Sequence, residues 1–158
     1  MIIDELITDR TQADVDAVIA LRDKWLNGTI TSDEKTTWNA GMKGSYNYSD
    51  LNRVGQAVAY IAKQMNSSGH SVTVTAKTDW SGSDIPSTTQ MAAFLNDLSI
   101  LKSESGISDT VPSSMDYLTY QTANAIEQLL INAYNAVIRE RADWAVCGIA
   151  ISGVTGGL

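Results

Sequence analysis

The sequence predicts a mainly α protein, a single-domain bundle of about four to five helices with a minor β element. Three observations point there. Apolar residues recur at helical spacing, most clearly at Leu51, Val54, Val58, Ile61, Ala62 and Met65, with Gly55 on the same stripe. Capping signals of the form Ser/Thr-x-x-acid or amide begin several helical stretches. Only Ser71-Val72-Thr73-Val74-Thr75 alternates polar and β-branched apolar residues, the pattern of a half-buried strand. A chain of 158 residues fits one domain. The helical domain is expected over 1–146, followed by an apolar, Gly-rich tail over 147–158.

Taken in order, residues 1–10 form an apolar-acidic arm, extended or strand-like, carrying Ile2, Ile3, Leu6 and Ile7. Thr11 to Asp14 is a capping box that opens a helix over 12–26, striped with Val15, Val18, Ile19, Trp25 and Leu26. Thr31 to Glu34 opens a short helix that carries Trp38 and stops at Gly41. The central helix follows Tyr46, with Ser49 or Asp50 as its cap and Asn66 to Gly69 as its exit. The strand near 71–76 needs a partner for its backbone, which a chain terminus or a neighbouring subunit could provide.

Beyond it, Lys77 to Pro86 is a loop, and Ser87 with Gln90 caps a helix bearing Met91, Phe94, Leu95, Leu98 and Leu101. Residues 104–116 are a surface loop rich in Ser, Asp and Gly. The longest helix is expected from about Thr119 to Trp144, buried through Ala123, Ile126, Leu129, Leu130, Ala133, Val137 and Trp144, with Glu127, Arg139 and Glu140 facing solvent. In the tail, Ile149 and Ile151 alternate around Ala150 as in a strand.

Chemistry is harder to find. The net charge of −7, from 18 acidic and 11 scattered basic residues, disfavours nucleic-acid binding. Cys147 is the single cysteine and His70 the single histidine, so neither a disulfide within the chain nor a Cys/His zinc site is available. His70 lies in a turn signal without a triad pattern around it. Asp79 to Asp84 begins like a calcium loop, yet its glycine is misplaced and Gln90 stands where a bidentate glutamate is required. No phosphate-binding glycine motif, leader peptide or membrane-spanning run is evident, so no enzyme, cofactor, metal or membrane role is expected, and folding in a cytoplasm is. Candidate interaction residues are the loop residue Trp80, the helix-flanking Tyr46 and Tyr48, and Ile149, Ile151 and Val154 of the tail. Trp25, Trp38 and Trp144 are expected at the core or its edge. Unpaired strand character at both ends makes a homo-oligomer the expected state.

Five segments carry a resemblance: Ile7 to Val15, Gly41 to Asn47, Asp50 to Gly55, Lys77 to Trp80 with Asp84 to Pro86, and Ala123 to Glu127. Together they resemble small proteins encoded in the tail and baseplate region of phages and prophages of Gram-positive bacteria, a family placed mainly by genetic neighbourhood. The resemblance covers the chain from near its start to about Trp144. It implies a non-enzymatic virion protein, structural or accessory, acting through contacts with other phage tail or baseplate proteins. The alternative it leaves open is a host-surface module of the tail tip that binds a glycan or protein through Trp80, Tyr46 and Tyr48.

Overall fold

The structure is a computed structural model that describes the backbone over residues 1–152 and the side chains through residue 144. After a 3-10 turn at Ile2–Glu5 come five helices: α1 (Gln12–Leu26), α2 (Ser32–Ala40), α3 (Tyr48–Ser67), α4 (Thr88–Ser105) and α5 (Tyr120–Ser152). The predicted helical class is therefore the observed one, and no strand occurs among the described residues.

Local sequence accounts for where four of these helices begin. Thr11, Thr31 and Ser87 each accept from the backbone N–H three residues on, while Asp14, Glu34 and Gln90 reach back to the cap N–H. At α3 the cap is Asn47 rather than Ser49 or Asp50: its Oδ1 accepts from the Ser49 N–H at 2.8 Å, and Asp50 Oδ2 accepts from the Asn47 N–H at 2.9 Å. Gly106, with φ +66°, closes α4 in the left-handed conformation that costs glycine nothing.

Helices α3, α4 and α5 form the core, and they run parallel. Arg53 meets Glu127 near the starts of α3 and α5, and Arg141 meets Gln64 fourteen and eleven residues further along, so these two helices share a direction. The start of α4 shares a cleft with Gly55 and Val58 of α3, while Glu104 near its end reaches His70 just beyond α3. Parallel neighbours need long returns. These are the connections 68–87, extended over 71–76, and 106–119, which turns at Asp116 and Tyr117. Val54, Val58, Ile61, Met65, Leu98, Leu101, Ile126, Leu129, Leu130, Ala133 and Val137 make the buried seam.

The 71–76 segment is extended, with Val72 buried and Val74 and Ala76 against the core, yet it joins no sheet. Helix side chains supply the hydrogen bonds a neighbouring strand would give. Asn66 accepts from the Val72 N–H (2.7 Å) and donates to its carbonyl (2.8 Å); Asn52 does the same for Trp80 at 2.7 and 2.8 Å. Asp97 takes the Thr75 N–H between them. A third amide, Asn124, pairs in the same way with the backbone of Arg10. Period-two patterning reports a half-buried extended chain and is silent about what pairs with it.

Two further expectations change. The strand-like alternation of Ile149 and Ile151 lies within α5, whose backbone is helical to Ser152. And α1, though it spans the predicted residues, fully buries none of its side chains: it packs on α2 as a helical hairpin, and only its first turn abuts the Gly44 connector and the start of α5.

Candidate functional site

The densest chemistry lies where the N-terminal arm crosses the starts of α3 and α5. Arg10 Nη2 donates to Asp50 Oδ1 (2.8 Å) and Glu127 Oε1 (2.7 Å). Arg53 donates to both Glu127 oxygens, at 2.9 and 3.1 Å, and also pairs with Asp50. The Ile7 N–H adds a bond of 2.6 Å to Glu127, and Arg10 donates further to the carbonyls of Ile7 and Lys43. Two guanidiniums and two carboxylates thus neutralise one another in a buried network. Desolvation opposes charge on Arg53, but the bonds to Glu127 and Asp50 outweigh it and hold the guanidinium above its ordinary pKa.

Such a network fixes geometry rather than moving protons, because the carboxylate lone pairs are committed to fixed cations and backbone N–H groups. It ties the arm, the Gly41–Ser45 connector, α3 and α5 together. Glu127 was expected in solvent but is fully buried, since its neighbours on the helix say nothing of the two arginines that reach it from other segments. Tyr46 lies beneath the Arg10 guanidinium, 5.5 Å from ring centroid to Cζ, and its hydroxyl is buried with no partner among the described residues. Burial, with the nearby Glu127 and Asp50 charges, pushes the phenol pKa far up. Tyr46 is thus half-buried, its hydroxyl turned inside and its ring packed under Arg10.

Trp80 is also internal, at 6% exposure. Asn52 clamps its backbone on both sides, and its ring walls a small cleft with Phe94, Val58 and Ala93. The polar composition of residues 79–84 hid this, because a tryptophan in a polar loop can fold back as readily as face out. Tyr48 remains exposed at 47%. Ile149 and Ile151 lie in α5 with side chains outside the described residues, and Val154 lies wholly outside them.

What the bundle leaves uncovered is the hairpin. Ile19, Trp25 and Leu26 are exposed, Leu26 at 75%, and Val15, Val18, Leu21 and Trp38 are half-buried. Trp25 and Trp38 meet at 6.2 Å between ring centroids, Lys35 Nζ lies 5.8 Å from the Trp25 ring, and Lys24 pairs with Glu34 across the two helices. Trp144, expected in the core, is 72% exposed near the far end of α5. The stripe of α1 is thus only half covered, Val15 and Val18 partly buried and Ile19, Trp25 and Leu26 exposed.

The five resembling segments, dispersed in sequence, meet in space. Arg10, Tyr46, Asp50, Asn52, Arg53, Gly55, Trp80, Asn124 and Glu127 all take part in the ion network, the Asn clamps or the Trp80 cleft. No family model matches the chain, and neither the curated proteins nor the solved structures give a match. Among the described residues no cluster of His, Cys, Asp and Glu has metal-holding geometry, and no helix is long and apolar enough to cross a membrane.

Proposed function

We propose that this chain is a non-enzymatic assembly protein, a structural or accessory component of a phage tail or baseplate that works through protein–protein contacts. The phage setting rests on the sequence resemblance; the mode of action rests on the hairpin. A pair of helices with three capping or cross-helix ionic locks and an uncovered apolar stripe, held off a well-packed core, is suited to bury that stripe against a partner. The homo-oligomer belongs to the same proposal, with the chain termini as further contacts. With Trp80 inside, the receptor-module alternative keeps only Tyr48 of its aromatic anchors.

The test is composition of purified particles, if a phage source is established. Mass spectrometry should find the protein at fixed stoichiometry, and the double variant Ile19→Asp, Trp25→Ser should be missing from particles while retaining the wild-type circular dichroism. Absence of the wild-type protein from particles overturns the virion reading. Normal incorporation of the variant overturns the hairpin's part in it.

A further inference from the structure

A different feature of the molecule, independent of the hairpin, is the charge of Asp97. It is 2% exposed, and the other buried charged side chains, Arg10, Asp50 and Glu127, all have ionic partners. Asp97 has none: its bonds come from the Thr75 N–H, at 3.0 and 3.1 Å, and the Thr75 hydroxyl, at 3.3 and 3.4 Å. No Lys, Arg or His among the described residues lies within ion-pair distance of it. An ionised carboxylate offers about four lone-pair sites, and two donors leave capacity for more. Desolvation holds its pKa above the ordinary aspartate value, as an uncompensated buried charge requires.

Asp97 lines the cleft walled by Trp80, Phe94, Val58 and Ala93, with the buried Gly55 also in its lining. The cavity is about 80 Å³, several times the roughly 10–15 Å³ that one water occupies on the same measure. Its lining is mainly apolar, with Asp97 as its buried polar group and the more exposed Thr75, Gln90 and Lys77 completing the wall. Lys77 does not compensate Asp97. Its ammonium pairs with Asp79 and sits 4.9 Å from the Trp80 ring centroid, which places a cation on an aromatic wall of this same cleft.

We infer that this cleft binds an organic ammonium ion on a short aliphatic stem, the head group pairing with Asp97 and the stem packed between Trp80 and Phe94. An ammonium supplies the donors and the charge that Asp97 lacks, and the apolar walls favour a stem over bare water or a metal ion. A free amine and the side chain of a partner's lysine share this chemistry.

Amide chemical shifts of the full chain would be followed on titration with n-butylammonium, with n-butanol as the neutral probe and N-acetyl-lysine methylamide as the lysyl probe. Saturable shifts confined to Gly55, Thr75, Gln90 and the Trp80 indole are expected for at least one cation, with n-butanol weaker by roughly tenfold or more. Asp97→Asn keeps an acceptor for Thr75 and should weaken binding by a similar factor; Ala93→Leu fills the cavity and should abolish it with Asp97 intact. Preference for the lysyl probe assigns the site to a partner's lysine, and preference for the free amine assigns it to a small molecule. Shifts scattered over the surface, equal binding of n-butanol, or binding unaffected by both substitutions overturns the inference, as does failure of both cations to bind.

Discussion

Glu127 stands at the centre of the arm's attachment, accepting from Arg10, Arg53 and the Ile7 N–H at a position with no solvent exposure. Removing its charge leaves two guanidiniums facing one carboxylate inside the protein. Glu127→Gln should therefore lose about 3 kcal/mol or more in urea unfolding, whereas a surface glutamate would lose little. Gly55 is a second single-atom constraint. A Cβ there would sit 2.3 Å from the Lys77 carbonyl oxygen, because the return segment crosses α3 at that point and is held there by the Asn52 clamp on Trp80. Gly55→Ala improves helix propensity yet should destabilise by roughly 1–3 kcal/mol, since backbone rather than a mobile side-chain tip must give way. An unchanged urea midpoint would mean that the segment relaxes freely.

Among the elements, α1 and α3 both carry apolar residues at helical spacing, but the stripe of α3 is much the more sharply segregated, and their fates differ. Val58 is 1% exposed on α3, and Val58→Asp should unfold the domain by placing a charge in the seam. Ile19→Asp on α1 should destabilise the isolated protein far less than Val58→Asp, because Ile19 is 38% exposed and outside the core seam. Thermal melts of the two variants side by side check the contrast. At α4, Ser87→Ala removes the acceptor for the Gln90 N–H and should cost about 1 kcal/mol. Caps of this kind were readable in the sequence because they join residues three apart. The burial of Glu127 was not, because its partners are 74 and 117 residues away.

Across the whole molecule, three parallel core helices align their dipoles instead of cancelling them. The starts of α3 and α5 lie by Asp50 and Glu127, and the ends of α3 and α4 lie near His70, while α5 runs on to Ser152. His70 bridges Glu140 at 2.9 Å and Glu104 at 3.4 Å, tying α4 to α5 just past the end of α3. The Glu140 bond, with Glu104 adding to it against desolvation, raises the His70 pKa above 6.5. A raised folded-state value means the contact stabilises in full below pH 6.5 and is lost as pH climbs through the folded value. Wild-type melting temperature should fall across that window relative to His70→Gln, and parallel pH profiles would refute the bridge.

The sequence by itself determined the helical class, the limits of α1 and α2, the cap of α4, and the buried face of α3, all of which depend on residues within one or two turns of each other. Only the tertiary structure decided that half of the α1 stripe stays exposed, that the 71–76 segment pairs with the side chains of Asn66 and Asp97 rather than a strand, and that Trp80 and Glu127 are inside. Local periodicity specifies which face of an element is apolar. What covers that face depends on where distant segments land, and a buried charge becomes tolerable only once its partners have arrived.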